Sequence, residues 1–228
     1  VPVRYGFGFG LSYTTFSIKT QKVTVSNLDS ENPVLTAAVE VTNTGVTYSG
    51  KEVVQIFVSC PQGSRVKEYR RLAGFAKTKE LAPGEKQSLS ITFPLYQLTS
   101  YEEVTASWVL DGGNYGIWVG NSLSDAKLCA VLSLDQSAVM VSGSNICKKQ
   151  RELEEITPDQ AKLLEKQKAW EAIAKEENLP NLQIKSDQIQ TKTISYNADQ
   201  EPFTGRAKEI VENMTTDQLL LLATGDIS

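Results

Sequence analysis

The stretch over residues 106–120 constrains the fold more than any other part of the chain. Two apolar runs flank Asp111-Gly112-Gly113-Asn114, whose residues tolerate positive φ and are typical of tight β-turns. In the second run the side chains alternate across two faces, with Tyr115 on one and Trp118 on the other. We therefore predict a hairpin with strands around Trp108 and Trp118. A hairpin this apolar needs a second sheet to cover it, because it is not stable alone in water.

The rest of the first 135 residues supplies further strands. Alternating or β-branched runs, separated by Asn, Gly and Pro, predict strands over 15–18, 23–25, 35–41, 53–58, 71–76, 89–93 and 128–134. No helical period lies between them. This pattern predicts a mainly β fold, an immunoglobulin-like antiparallel β-sandwich. Tyr96 lies where such sandwiches cross between sheets. It is either the corner tyrosine whose hydroxyl bonds to the backbone or an ordinary loop residue.

The composition changes after about residue 145, where a helical C-terminal segment begins. Thr157 as N-cap and Pro158 at the first helical position predict a helix over about 158–177. Glu171 and Lys175 have the i,i+4 spacing of an ion pair. One face carries an apolar stripe that we expect to pack on the sandwich, with Trp170 as its anchor; it consists of Leu163, Trp170, Ile173 and Ala174.

The last 48 residues divide into a polar part and a helical part. Residues 181–203 look extended or loosely ordered. Two short helices are predicted over 205–213 and 216–223, the second with Thr215 and Gln218 at the spacing of a capping box. This second helix is very apolar and needs a partner surface.

Composition excludes several functions. The chain has no histidine among its 228 residues, which removes the commonest general base and metal ligand. Cys60, Cys129 and Cys147 lack metal-type spacing, so we interpret them as small buried apolar residues and expect no metal or cofactor. A net charge of −4 disfavours a nucleic-acid surface, and no apolar run is long enough to cross a membrane. Because the chain begins without Met, we expect it to be an excised piece of a longer protein.

Residues 1–12 alternate glycine with aromatic residues. The glycines allow close backbone approach, and Tyr5, Phe7 and Phe9 supply apolar area, so we predict a loop that lies flat against a neighbour. A phosphate-binding loop is rejected because no Lys followed by Ser or Thr stands in the required place.

Several segments resemble the C-terminal fibronectin type III-like domain of glycoside hydrolase family 3 and the stretch that leads into it. They appear in the family's order over roughly residues 6–135 and comprise 9–16, 43–45, 50, 52–58, 72–77, 81–85 and 113–122. Ala73 stands where the family usually has a long or charged residue. The resemblance implies that the sandwich is fibronectin type III-like.

A second segment, residues 206–219, is similar to the opening of the same family's catalytic barrel, which in most members comes first in the chain. The resemblance therefore implies a member with permuted domain order. The expected organisation is an end of a preceding α/β sandwich domain or junction over 1–12 and the fibronectin type III-like sandwich over 13–135. A linker region with one long helix follows over 136–203, and the start of the barrel over 204–228.

The resemblance also implies that this chain is not catalytic. The family's nucleophile is an Asp in a Ser-Asp-Trp-like motif of the barrel, and its acid/base carboxylate usually comes from the α/β sandwich domain. Neither region is present, and Ser124-Asp125-Ala126 is not a match. The expected function is a structural, domain-docking module of a β-glucosidase or β-xylosidase type enzyme that hydrolyses terminal β-linked sugars. Its partners would be the neighbouring catalytic domains of the same polypeptide. The docking candidates are Tyr5, Phe7, Phe9, Leu163, Trp170, Leu219 and Leu222.

The alternatives are a carbohydrate-binding module and a protein-interaction module, which a sandwich fold permits equally well. Sugar binding would need two or three coplanar exposed rings on one face. The candidates are Tyr48, Tyr69, Tyr101 and Trp108; for Trp108 burial in the sandwich or an interface is favoured.

Overall fold

The computed structural model describes residues 3–146, 148–151, 154, 156–194 and 205–224. The chain divides into one compact unit that ends at Ile194 and a second that begins at Ser195. The described part of the first unit contains twelve strands: β1 Phe16–Ser26, β2 Val34–Asn43, β3 Val53–Ser59, β4 Arg71–Lys77, β5 Lys86–Pro94, β6 Ser100–Glu102, β7 Ser107–Leu110, β8 Gly113–Gly120, β9 Lys127–Leu134, β10 Ala138–Ser142, β11 Asn181–Ile184 and β12 Lys192–Thr193. Helix α1 spans Gln160–Glu176, and short 3₁₀ turns span Leu95–Leu98 and Ser186–Gln188.

These strands form three sheets. A three-stranded sheet has the order β1-β2-β5, and a five-stranded sheet has the order β11-β9-β8-β3-β4. A smaller four-stranded sheet has the order β12-β10-β7-β6. The core is the alternating inward face of the strands; Val39, Ile56, Ile117 and Leu132 are fully buried in it. The predicted mainly β sandwich followed by a helical segment is confirmed.

The predicted hairpin around Gly112 is wrong. β7 pairs with β6 and β10, whereas β8 pairs with β3 and β9, so the chain changes sheet between Leu110 and Gly113. Gly113 has a φ of 130°, a conformation that favours glycine. Positive φ is compatible with a crossing between sheets as well as with a hairpin turn. The turn residues therefore indicate a change of direction without identifying the strand's partner.

The corner tyrosine is Tyr115 rather than Tyr96. The Tyr115 hydroxyl donates a hydrogen bond of 2.6 Å to the Asp111 carbonyl, four residues upstream and on the other side of the crossing. The ring is fully buried, and burial raises the pKa of Tyr115 well above its ordinary value. Tyr96 lies in a 3₁₀ turn and is 40% exposed, so it is the ordinary loop residue.

Asp111 itself is fixed by two cations of the loop between β3 and β4. Its carboxylate lies 2.5 Å from the Arg65 guanidinium and 2.7 Å from Lys67 Nζ. Arg65 also binds Glu102 of β6 at 2.6 Å, and buried Lys67 donates to the Pro61 carbonyl at 3.0 Å. The crossing is therefore tied to its neighbouring loop by charges that are largely removed from water.

A buried amide explains the Asn43-Thr44-Gly45 sequence. Asn43 is fully buried, and its amide group donates to the Tyr48 and Leu81 carbonyls at 3.0 and 2.9 Å. Its Oδ1 accepts from Thr14 Oγ1 at 2.6 Å and from the Gly45 amide at 3.0 Å. Each hydrogen-bonding group of the side chain is paired, as burial of a polar group requires.

Helix α1 covers part of the outer face of the five-stranded sheet. Its N-cap is Asp159, two residues after the expected Thr157, and the Asp159 side chain accepts from the Lys162 amide at 3.2 Å. Trp170 is 2% exposed and packs with Trp118, Leu128 and Val131 of the sheet. The expected anchor is therefore confirmed, although Ile173 of the predicted stripe is 42% exposed.

Residues after 135 add strands to the sandwich that the sequence did not reveal. β11 pairs in parallel with β9, and β12 pairs in parallel with β10. Of the two expectations for residues 181–203, extended or loosely ordered, the extended one holds for residues 181–184, which form the edge of the five-stranded sheet.

The cysteines follow their expected interpretation where they are described. Cys60 is buried, and burial raises its thiol pKa to about 12. Cys129 is half-buried, and desolvation raises its pKa to about 11. Cys147 lies outside the described residues.

Helices α2 Arg206–Glu212 and α3 Thr216–Thr224 form the described part of the second unit. The capping box before α3 is confirmed: the Thr215 amide donates to Gln218 Oε1 at 2.9 Å, and the Gln218 amide donates to Thr215 Oγ1 at 3.3 Å. No helix in the described ranges is long and apolar enough to cross a membrane.

Substitution Tyr115→Phe tests the corner. We expect the free energy of unfolding to fall by about 1–3 kcal/mol, because the Asp111 carbonyl loses its donor inside the protein. Urea unfolding measures the change. Tyr96→Phe is the matched control and should leave the unfolding midpoint unaltered; equal effects of the two substitutions would contradict the assignment.

Substitution Trp118→Ala tests the packing beneath α1. Trp118 is 7% exposed, so its removal should lower the free energy of unfolding by about 3–5 kcal/mol. Amide hydrogen exchange over residues 160–176 should accelerate, because Trp170 loses a neighbour. Phe75→Ala, at a side chain that is 68% exposed, is the control. An unaltered denaturation midpoint in Trp118→Ala would refute this account of the helix.

Candidate docking surface

The aromatic strap, which we define as residues 5–9, lies on the outer face of the five-stranded sheet. The Leu123 amide donates to the Phe7 carbonyl at 2.9 Å, and the Phe9 amide donates to the Gly6 carbonyl at 3.1 Å. Phe7 meets Phe57 of β3 edge to face, with centroids 6.2 Å apart. Both backbone and ring contacts therefore hold the strap on the sandwich.

Gly8 allows this close approach. It has φ of 82°, and a Cβ at this position would lie 2.7 Å from Gln55 Nε2 and 2.9 Å from the Asn121 carbonyl oxygen. Gln55 Nε2 in turn donates to that carbonyl at 3.1 Å, and Asn121 Nδ2 donates to Glu52 Oε2 at 3.1 Å. The strap therefore lies on a hydrogen-bonded base that leaves no room for a side chain at residue 8.

The strap's aromatic rings remain largely in solvent. Tyr5, Phe7 and Phe9 are 60%, 57% and 53% exposed. Tyr5 and Phe9 stack on each other with centroids 4.8 Å apart and planes 29° from parallel. Three large apolar side chains are thus presented outward from a fixed backbone, which is typical of an interaction surface.

Two residues of β4 extend this apolar surface. Gln55, under the strap, pairs with Phe75, and Phe57 pairs with Leu72. Residues directly opposite each other in a sheet point to the same face, so Phe75 and Leu72 belong to the strap's side of the sheet. Phe75 is 68% exposed and Leu72 is 37% exposed. The sequence predicts this strand but does not say which of its faces is free, so these two residues were missed.

The remaining docking candidates belong to helices. Leu163 and Trp170 are buried in the first unit, so their apolar surface is already covered. Leu219 and Leu222 belong to α3 of the second unit and are 37% and 68% exposed. Within the first unit, the strap brings together Tyr5, Phe7 and Phe9, three of the seven candidates.

The proposed sugar-stacking residues do not form a coplanar platform. Trp108 is 37% exposed and contacts Tyr101 and Tyr96, but these rings are tilted by 56° and 60° from its plane. Tyr48 meets Tyr13 at 61°. Trp108 is therefore only partly buried within the sandwich.

Tyr69 is occupied by cations. The Arg70 guanidinium lies 5.0 Å from its ring centroid and Lys166 Nζ lies 4.6 Å from it. Arg70 also covers Trp118 at 3.5 Å and donates to the Leu123 carbonyl at 2.9 Å; burial lowers the pKa of Arg70. This cluster fixes the β3–β4 loop against the sheet and leaves little ring surface for a ligand.

Acidic residues of the described segments form no metal-binding cluster. Glu102 and Asp111 both bind Arg65, and Asp111 also binds Lys67. Their geometry is that of a structural ion-pair network.

The comparisons with known proteins agree with this architecture. Residues 52–123 match the model of the fibronectin type III-like domain. β-Glucosidase A of Butyrivibrio fibrisolvens is 39% identical over 140 residues, which cover 55% of this chain and 17% of that protein. The β-glucosidase of Ruminococcus albus is 37% identical over 143 residues, covering 60% of this chain and 14% of that protein.

Solved structures show the same relation. The β-glucosidase of Paenibacillus barengoltzii has a TM-score of 0.59 and 36% identity over 62% of this chain and 16% of its own. β-Glucosidase 3B of Thermotoga neapolitana has a TM-score of 0.51 and 33% identity over 60% of this chain and 18% of its own. This chain therefore spans less than a fifth of the length of these relatives.

Substitution Gly8→Ala tests how the strap is held. The left-handed backbone and the missing space should lower the free energy of unfolding by about 1–2 kcal/mol. The Leu123 amide, which the strap protects, should exchange with solvent faster. Gly6→Ala and Gly10→Ala are matched controls, since nothing lies within 4 Å of a Cβ at either position. Equal responses of all three variants would show that the strap is not seated as described.

Proposed function

Because this chain carries a fibronectin type III-like domain of the family 3 glycoside hydrolase type, we propose that it is a non-catalytic module that docks onto a neighbouring catalytic domain of the same polypeptide. The parent would be a β-glucosidase or β-xylosidase type enzyme that hydrolyses terminal β-linked sugars. The observation that carries the proposal is the aromatic strap, three exposed rings on a backbone fixed to the sandwich.

The energetics of the strap support a docking role. Burying a large apolar side chain contributes roughly 1.5–3 kcal/mol, so five partly exposed side chains on one face leave considerable stabilisation unrealised. These are Tyr5, Phe7, Phe9, Leu72 and Phe75. A neighbouring domain that covers them would gain this stabilisation without reorganising them, because the strap is already ordered on its base.

The second unit fits the same proposal. Residues 206–219 resemble the opening of the family's barrel, and α2 and α3 occupy this segment. In a protein with permuted domain order these helices would begin the barrel, where Leu219 and Leu222 would be buried. The 1–12 segment would then belong to the junction with the preceding domain, and the sandwich would lie between the two.

The charged groups support a non-catalytic role. A retaining glycosidase needs two carboxyl groups about 5–5.5 Å apart that can exchange protons with substrate. Glu102 and Asp111 are instead held by Arg65. Apart from the Tyr5 hydroxyl, the strap and the β4 residues Leu72 and Phe75 present only apolar side chains, which cannot act as acid or base.

The test combines the parent polypeptide with a triple substitution, Phe7→Ser, Phe9→Ser and Phe75→Ser. We expect the parent to lose at least tenfold in resistance to limited proteolysis between the sandwich and the preceding domain, because the interface loses its apolar centre. Val46→Ser with Val104→Ser is the matched control, since these apolar residues are 92% and 91% exposed away from the strap.

Two results would contradict the proposal. One is an unaltered proteolysis rate in the triple variant. The other is turnover of an aryl β-glucoside or β-xyloside by this chain alone that survives a second, independent purification, because a non-catalytic module should give none.

A further inference from the structure

Positively charged side chains lie beside the aromatic strap on the outer face of the five-stranded sheet. Phe57 and Trp118 stand opposite each other in β3 and β8. Phe7 meets the ring of Phe57, and the Arg70 guanidinium covers the ring of Trp118 with its Cζ 3.5 Å from the centroid. Leu123 joins the two, because its amide donates to the Phe7 carbonyl and its own carbonyl accepts from Arg70 Nη1 at 2.9 Å. Arg70 is therefore part of the border of the strap surface.

Arg70 differs from the two other arginines of this loop and strand. Arg65 binds two carboxylates, and Arg71 binds that of Glu68. The Nε of Arg70 is buried and has no hydrogen-bond partner among the described residues. Burial lowers the pKa of Arg70, and Tyr69 rather than a carboxylate opposes this change. A guanidinium that is half removed from water without a counter-charge is costly, so this position favours the arrival of an anion.

Lys166 of α1 adds a second cation at the same place. Its Nζ lies 4.6 Å from the centroid of the Tyr69 ring, and the Arg70 guanidinium lies 5.0 Å from that centroid. The residues three and four positions away from Lys166 along the helix are Lys162, Leu163, Ala169 and Trp170. None of them is acidic, so the neighbouring turns of the helix supply no counter-charge. Two cations therefore share one aromatic ring, and Lys166 is exposed to solvent.

Carboxylates from the segments around the strap and Arg70 are already bound within the chain. Glu68 pairs with Arg71. Glu52 accepts a hydrogen bond from Asn121 below the strap at 3.1 Å, and Asp125 accepts one from a serine hydroxyl at 2.9 Å. The strap surface thus combines exposed aromatic rings with positive charge that these carboxylates do not balance.

We propose that the neighbouring domain that covers the strap places an aspartate or glutamate carboxylate against Arg70 and Lys166. This inference rests on the proposed docking function and names the chemistry of its partner, an apolar patch bordered by an acidic side chain. One carboxylate can accept from both cations, because guanidinium and ammonium groups are donors only. A partner without an acid at this place would remove Arg70 further from water and leave its charge unpaired, which disfavours binding.

Charge reversal at Lys166 tests the inference in the parent polypeptide, and the measurement is the rate of limited proteolysis between the sandwich and the preceding domain. Lys166→Glu should accelerate cleavage about fivefold at low salt, because the new carboxylate repels that of the partner. Lys166→Arg keeps the charge and should leave the rate unaltered. Lys168→Glu is the matched control, since it makes the same change of charge at an exposed position two residues further along the same helix, on another face.

Salt dependence gives a readout that a purely structural effect of the substitution would not alter. Raising NaCl from about 0.05 M to about 0.5 M screens exposed charges, so the difference between Lys166→Glu and the unmodified parent should shrink to less than about twofold. The Phe7→Ser, Phe9→Ser and Phe75→Ser variant, cleaved at both salt concentrations, reports how the protease itself responds to salt.

The outcomes separate this inference from the docking proposal. If the triple apolar variant is cleaved faster than the parent while Lys166→Glu behaves like Lys168→Glu, docking stands and the acidic partner is refuted. An effect of Lys166→Glu that persists undiminished at high salt also refutes it. If the triple variant is cleaved no faster than the parent, the docking proposal fails and this inference fails with it.

Discussion

The fold depends on how the chain passes from one sheet to another between Leu110 and Gly113. Two sets of interactions hold this crossing: a hydrogen bond from the Tyr115 hydroxyl to the Asp111 carbonyl, and ion pairs of Arg65 and Lys67 with the Asp111 carboxylate. The positive φ of Gly113 allows the backbone to turn there. Because β8 lies between β3 and β9 in the large sheet, any error at the crossing would displace the strand that carries Trp118. The packing of α1 on that strand therefore depends on a turn it does not contact.

The sequence predicts most of this architecture where alternation is strong. β2 has one clear buried face, whereas β3, a nearly continuous apolar run, is buried on both faces. The predicted bounds, 35–41 and 53–58, agree closely with Val34–Asn43 and Val53–Ser59. Prediction fails where pairing partners matter, since Asp111-Gly112-Gly113 specifies backbone freedom and not the strand that follows. It does not identify β11 as a strand of the sheet, because Asn181–Ile184 alternates over only four residues and pairs with β9 from far along the chain. The sequence predicts one part of the candidate surface, because the alternation of glycine with Tyr5, Phe7 and Phe9 indicates a loop that lies flat against a neighbour. Phe75 is identified only by its register with Gln55.

The outer face of the five-stranded sheet has two parts that are covered by different segments of the chain. Over β8 and β9 it is closed by α1, with Trp170 and Ala174 filling the space above Gly116, where a Cβ would lie 3.2 Å from Trp170. Over β3 and β4 it carries the aromatic strap and the exposed Phe75. The glycines at residues 8 and 116 have the same physical task, since each lets another segment approach the sheet at backbone distance.

Because the strap lies on the outer face of the sheet, it contributes no residue to the core of the sandwich. Val54, Ile56 and Val58 point inward from β3 and are fully buried, so the interior is complete without any residue of the strap. On the opposite side of the same strand, Phe57 is buried in the cluster that contains Trp118 and Trp170, and its ring meets that of Phe7 edge to face. The strap therefore gains part of its possible burial from this chain, and its remaining exposed area is what a neighbouring domain would have to cover. Because the strap is already ordered on the sheet, association with a neighbouring domain would not carry the entropic cost of ordering it.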